Sequence, residues 1–197
     1  MQRKTVAARN LLIGLLALGL SGCAAVVVGG AVTGAKVAHD RRTTGSFVED
    51  QEIFLRAIGM YTNDKALAEK SNIDISVYNM QILLIGQAEN MAIAESLAQR
   101  VAAIPKVRAV FNEVVVGPEA TFGESTSDSY LTAQVKVDLF KVKIKGFDPT
   151  RVKVSSSQGS VFLMGLLTPT EADAVTERVR YVSGVKRVVK LFEYLDE

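Results

Sequence analysis

Two stretches of the chain carry the same apolar rhythm. "NIDISVYNMQILLIG" (72–86) and "RVKVSSSQGSVFLMG" (151–165) align without a gap. In each, apolar residues first alternate with polar ones: Ile73, Ile75 and Val77 in one copy, Val152 and Val154 in the other. That period of two predicts a strand with one buried face. A turn pair follows, Asn79-Met80 or Gln158-Gly159, and then a continuous apolar run that predicts a second, more deeply buried strand. Strands joined so tightly form an antiparallel hairpin. Gly86 and Gly165 are expected to end the second strand, where a side chain would obstruct the helix that follows.

The period then changes to that of a helix. Ala94, Leu97, Val101 and Ile104 lie at i, i+3, i+7 and i+10, and Ala172, Val175, Val179 and Val182 repeat the pattern. "TPTEAD" (168–173) places Thr168 as cap, Pro169 in the first turn and Glu171 three residues after the cap. Pro105 and Gly184 are expected to stop the two helices, with final strands over 107–116 and 185–195. A further helix precedes each hairpin, from about Asp50 to Tyr61 and from about Asp128 to Lys141. The chain is therefore expected to be α+β: two tandem αββαβ units, each a three-stranded mixed sheet covered by two helices on one face. "GPEATFGESTS" reads as the linker between them.

The N-terminus follows another logic. Arg3, Lys4 and Arg9 precede the ten-residue apolar run "LLIGLLALGL" (11–20), the arrangement of an export signal. As a helix that run covers roughly half of a bilayer's hydrocarbon core. "LSGC" (20–23) resembles the signal box of bacterial lipoproteins. The resemblance implies cleavage before Cys23 and acylation of Cys23, and Ala24 after it implies sorting to the outer membrane, facing the periplasm. At ~0.8 kcal/mol per buried methylene, three acyl chains make such an anchor effectively permanent. A true membrane span over 11–35 is the competing reading; Gly14, Gly19, Gly22, Gly29, Gly30 and Gly34 weigh against it. The resulting division is 1–22 signal peptide, 23–46 lipidated N-terminus and tether, 47–116 first domain, 117–127 linker and 128–197 second domain.

The paired "ILLIG" and "VFLMG" strands, with "IPKVRAVFNEV" and "VSGVKRVVKLF" beyond the helices, resemble BON domains. A lipoprotein signal box followed by two such units is similar to the dual-BON outer-membrane lipoproteins, over essentially all of 11–195. That resemblance implies a protein that binds anionic phospholipid such as phosphatidylglycerol or cardiolipin. It also implies support of envelope integrity, accumulation at division sites and no enzymatic activity. It places the membrane contact on the helix before the second hairpin, where relatives can carry Trp at the position of Tyr130.

Charge and patterning give that helix its own case. Removal of 1–22 takes three basic residues and no acid, leaving twenty basic and twenty-one acidic side chains. Neither this balance nor the exported location suits a nucleic-acid partner. Residues 47–116 have a net charge of −3 and 124–197 of +1. Between 136 and 153, Lys136, Lys141, Lys143, Lys145, Arg151 and Lys153 face only Asp138 and Asp148. In the helix, Leu131, Val135 and Leu139 form a core stripe, while Tyr130, Ala133, Val137 and Phe140 form another on a different side. The first copy has Glu52, Leu55, Gly59 and Thr62 there, a much poorer set. A helix apolar on two sides buries both or offers one to a partner. Candidate phospholipid-binding residues are therefore Tyr130, Ala133, Gln134, Lys136, Val137, Phe140 and Lys141. Packing of this stripe against the first domain is the competing reading. A further alternative is an adaptor for outer-membrane assembly or division proteins, with lipid contact incidental.

No cofactor, metal or catalytic set is expected. The single His, His39, lies in the tether and the single Cys is the acylation site, so neither a metal cluster nor a Ser-His-acid or Cys-His nucleophile can be assembled.

Overall fold

The structure, a computed structural model, describes residues 40–118 and 122–195. The export signal, Cys23, His39 and most of the tether lie outside the described residues. All described residues belong to the compact unit His39–Glu197.

The first copy runs α1 (Thr44–Thr62), a one-turn α2 (Lys65–Ala68), β1 (Ser71–Tyr78), β2 (Gln81–Ala88), α3 (Met91–Ala102) and β3 (Ala109–Val116). The second runs α4 (Phe122–Leu139), β4 (Lys153–Ser157), β5 (Ser160–Leu167), α5 (Pro169–Val179) and β6 (Arg187–Tyr194). Each copy is the expected αββαβ unit. Its middle strand pairs antiparallel with the strand before it and parallel with the last one, giving sheet orders β1-β2-β3 and β4-β5-β6. Two helix starts differ from the expectation. α1 begins at Thr44 because the Thr43 hydroxyl accepts the Ser46 amide as an N-cap, and α4 begins at Phe122, inside the stretch read as linker. α5 carries the full capping box, with Thr168 and Glu171 each accepting the other's amide. Asp148 caps a single 3-10 turn at Pro149–Arg151.

Both hairpins turn on two residues with positive φ: Asn79 (49°) and Met80 (62°), then Gln158 (51°) and Gly159 (79°). This is the primed turn whose twist matches paired strands. Three of the four are not glycine, so something must hold them there. The first helix of each copy supplies a carboxylate. Asp50 accepts the Asn79 and Met80 amides at 2.7 and 2.6 Å. Asp128 accepts those of Gln158 and Gly159 at 2.8 and 3.2 Å.

Gly86 and Gly165 lie inside the second strands, two positions before their ends, and do not terminate them. The obstacle is also different from the one expected. A Cβ on Gly86 would stand 2.0 Å from the Asn72 carbonyl oxygen, and one on Gly165 2.9 Å from that of Arg151. It is the backbone of the preceding segment, not the following helix, that requires glycine. Gly86 also has φ +121°, which L side chains rarely adopt.

Alternate residues of the central strands face different partners. Ile82 and Leu84 join Ile53, Ala57, Ala94, Leu97 and Val101 beneath the helices of the first copy. Val161, Leu163 and Leu167 join Leu131, Val135, Leu139, Ala172, Val175 and Val179 in the second. Leu83 and Ile85 point the other way, meeting Phe162 and Met164 with Tyr78 at the margin. The two sheets thus stack face to face, and the order of layers is helix, sheet, sheet, helix. Ser76 and Ser155, equivalent positions in the two copies, touch at 3.2 Å, so the stacking is close to two-fold. At about 1.5–3 kcal/mol for each of the five buried side chains, this seam is a substantial part of the folding energy. Arg108–Glu193 (2.8 Å) and Arg187–Glu113 (3.0 Å) fringe it. The Tyr78 phenol bridges the copies, donating to the Arg151 carbonyl and accepting the Leu166 amide, both at 3.3 Å. Burial and the nearby Asp40 charge push that phenol up to about 12, so it stays protonated as this role requires.

A short strap closes the seam from outside. Arg42 pairs with Asp40 and Asp50 at 2.6 Å each and lies 4.1 Å over the Tyr78 ring. Arg41 reaches the second copy, where it forks onto Glu171 at 2.5 and 2.9 Å. The chain therefore arrives from the tether already fixed to both copies.

Candidate membrane-contact site

α4 is apolar on nearly opposite sides. At 100° per residue, Leu131, Val135 and Leu139 point to one side and Tyr130, Ala133, Val137 and Phe140 to the other. The first set is buried, at 5%, 0% and 1% exposure. The second faces solvent: Tyr130 is 65% exposed, Val137 65% and Phe140 71%, and Ala133 is also exposed. The first domain does not cover this stripe. The sheet faces use their own residues to join the copies, which leaves the outer side of α4 free.

The stripe opens onto a cleft of about 460 Å³ between α4 and the end of α5, walled by Tyr130, Ala133, Gln134, Val137 and Lys141 from α4 and its C-terminal turn. Arg178, Tyr181 and Val182 form the opposite wall. Asp138 sits at its base, bonded to both Lys141 and Arg178. The Arg178 hydrogen bond, aided by Lys141, holds the Asp138 carboxyl below the usual range, so it remains an anion. Phe140 and Lys136 are exposed on the same helical region outside the cleft. Five of the seven candidate residues thus line one depression and two flank it.

The basic run divides. Lys136, Lys141, Lys143 and Lys145 are exposed, whereas the last two cations, Arg151 and Lys153, turn inward. Arg151 donates to the Gly146 carbonyl at 2.8 Å and lies 3.8 Å from Glu171. Lys153 donates across the seam to the Val77 carbonyl at 3.0 Å, and burial lowers its pKa. The alternation of β4 explains the second case, because odd positions there face the other sheet.

Tyr181 was not among the residues singled out from the sequence. It is 73% exposed, with the Arg180 guanidinium 5.3 Å from its ring. The signal was available in the repeat: at the offset that aligns the second helices, its counterpart is Ala103. The same cleft recurs in the first copy between Leu55, Gly59, Met60 and Arg100, without an aromatic wall. Among the described residues no helix is long and apolar enough to cross a membrane.

The BON domain family model matches residues 62–118 and 127–196. The chain is 36% identical to the outer membrane lipoprotein DolP of Haemophilus influenzae over 178 residues, 90% of this chain and 91% of that one. It is 35% identical to a protein called 21 kDa hemolysin from Actinobacillus pleuropneumoniae over 157 residues, 79% of each. Among solved structures, the C-terminal domain of CdsD, a type III secretion structural protein of Chlamydia trachomatis, aligns at 14% identity and a TM-score of 0.29, covering 75% of this chain and 67% of that one. The chain belongs to the BON-domain family and, by its similarity to DolP, to the outer-membrane lipoproteins within it.

Proposed function

We propose that the protein is held on the outer membrane by acylated Cys23 and that its second BON domain docks onto anionic phospholipid through Tyr130, Ala133, Gln134, Lys136, Val137, Phe140 and Lys141. It acts by binding, not catalysis, and through that contact supports envelope integrity, with division sites as its expected location. The observation that carries this reading is the outward stripe of α4. Two aromatic rings and a valine are more than half exposed beside four outward lysines. Aromatic rings suit the headgroup boundary and lysine stems snorkel from it. Each basic residue near an anionic surface contributes about 1 kcal/mol. Asp138 offsets part of the Lys141 charge, which leaves roughly 3 kcal/mol from charge before the apolar stripe is counted. A total of about 4–5 kcal/mol corresponds to a Kd on the order of 1 mM. An anchor on the same leaflet supplies an effective concentration of similar size, so the contact is well populated although weak.

The test is flotation of an unanchored form, residues 39–197, with vesicles containing phosphatidylglycerol or cardiolipin, against phosphatidylcholine alone. Preferential flotation with anionic lipid, lost in Tyr130→Glu/Lys141→Glu, is expected. Equal flotation with both compositions, or none lost in the double variant, refutes the reading.

A second reading is favoured by one feature of the first copy. α1 leaves Val48 61% and Leu55 59% exposed beside Glu52 and Arg56, a mixed surface of the kind that protein partners use. Adaptor function in outer-membrane assembly or division predicts a dominant protein adduct in cells from photocrosslinkers at positions 55 and 130; the lipid reading predicts none at either.

A further inference from the structure

We propose that the membrane-facing surface crosses the cleft onto the end of α5, where Tyr181 is a second interfacial anchor. This rests on the lipid reading above and extends it to an element outside α4.

Tyr181 and Tyr130 belong to facing walls of one cleft, and both rings are more than three-fifths exposed. Their counterparts in the first copy are Ala103 and Glu52. Both aromatic positions are therefore peculiar to the second copy, although the two copies share the same scaffold and the same cleft. A ring with a polar tip on each wall is the arrangement expected of a surface resting at the headgroup boundary, where Tyr is enriched. The cleft between them has apolar sides at Ala133, Val137 and Val182, with Lys141 and Arg178 sharing the Asp138 carboxylate at its base. Its rim carries Arg180, whose side chain is 58% exposed, pairs with the equally exposed Glu177 at 3.0 Å and lies against the Tyr181 ring. Three cations, Lys141, Arg178 and Arg180, stand against two carboxylates, Asp138 and Glu177, so exposed rings over apolar walls with a small positive excess complement an anionic bilayer. Two anchors also fix the orientation of the domain, which a single helical stripe leaves free to rotate about the α4 axis.

The chain has no Trp, so a single Trp placed at any position is the only indole. His39–Glu197 is a compact unit with its own cores and serves as the soluble form. Three variants are compared: Tyr130→Trp, Tyr181→Trp and Leu55→Trp, the last lining the equivalent cleft of the first copy. Each is mixed with phosphatidylglycerol vesicles containing bromine-labelled acyl chains, and with phosphatidylcholine vesicles labelled alike. The expected result is a blue-shifted emission and bromine quenching at 130 and 181 with the anionic vesicles alone, and no change at 55. Tyr181→Glu is expected to weaken flotation severalfold, comparably with Tyr130→Glu. Quenching at 130 without quenching at 181 overturns the second anchor and leaves α4 as the whole contact. No quenching at either position overturns the lipid reading itself.

Discussion

Replacing Asp50 by Ala should cost far more than the same change at its repeat partner Asp128. Asp50 is 6% exposed and accepts three charge-assisted bonds: the Asn79 amide at 2.7 Å, the Met80 amide at 2.6 Å and Arg42 at 2.6 Å. Truncation strands the amide of Asn79, itself only 9% exposed, and deprives Arg42 of one of its carboxylates. It also releases two non-glycine residues from a left-handed turn. Hydrogen bonds to charged groups contribute about 1.5–3 kcal/mol each, and an orphaned buried donor adds about 1–3 kcal/mol. Allowing for relaxation and non-additivity, the expected loss is about 3–4 kcal/mol, a large share of the stability of a typical domain. Asp128 caps its turn from a half-exposed site, where water replaces the lost acceptor, and Gly159 tolerates positive φ unaided; the expected cost there is about 1 kcal/mol. Asp50→Asn keeps an acceptor but loses the charge and falls between. Urea unfolding of residues 39–197, followed by circular dichroism and analysed for midpoint and slope, measures all three. Equal costs at Asp50 and Asp128, or a cost below about 1 kcal/mol at Asp50, would refute the assignment of Asp50 as the brace of the first hairpin.

Three further outcomes are expected. Gly86→Ala puts a methyl 2.0 Å from the Asn72 carbonyl at φ +121°, so the hairpin must open; it should lose several kcal/mol or fail to accumulate, by the same unfolding assay, and more than Gly165→Ala, whose closest approach is 2.9 Å. Phe162→Ala hollows the seam between the sheets and should cost about 3–5 kcal/mol, with exchange protection of amides in β2 falling along with those in β5; protection lost in β5 alone would contradict sheet-on-sheet coupling. For Glu171, burial pushes the carboxyl up, but the Arg41 hydrogen bond, the Thr168 amide and the Arg41 and Arg151 charges outweigh it and hold it below the usual range. A carboxyl lowered by folding stabilises the fold above its unfolded pKa of roughly 4.3 and loses that stabilisation as pH falls through the folded value. Thermal midpoints between pH 5 and pH 3 should therefore fall less steeply in Glu171→Gln than in the parent; parallel slopes would show that the strap does not act through this charge.

Much of this architecture was legible because it is local. The period-two runs, the switch to a 3.6-residue period and the Thr168–Glu171 capping box each concern residues within one element. Comparison of the two copies added the outward stripe of α4, since a duplicated scaffold exposes any surplus of apolar residues in one member. What escaped depends on contacts between elements distant in sequence. Leu83 and Phe162 read as generic strand residues; only the stacking of the sheets shows why both faces of β2 and β5 are apolar. Asp50 and Asp128 mark only approximate helix starts in the sequence, and nothing near either residue shows that a hairpin turn rests on it. Arg41 and Arg42 fall within the tether by sequence, although one forks onto Glu171 and the other pairs with Asp50. Lys153 adds to the charge between 136 and 153, but charge counting ignores which side of a strand a residue occupies, and this one faces the other sheet. Tyr181 escapes the sequence for a narrower reason: the apolar stripe lies on the first helix of the second copy, whereas the cleft joins it to the end of the second.

The central claim concerns one surface, and amide shifts report surfaces residue by residue. Titration of residues 39–197 with phosphatidylglycerol bicelles, followed by two-dimensional amide NMR, should perturb the outward side of α4 from Tyr130 to Lys141 together with Tyr181–Ser183. The outward residues of α1, Val48 and Leu55, should remain unmoved, and phosphatidylcholine bicelles should leave the whole spectrum unchanged. Shifts confined to the first domain, or the same shifts with both lipids, would contradict the account.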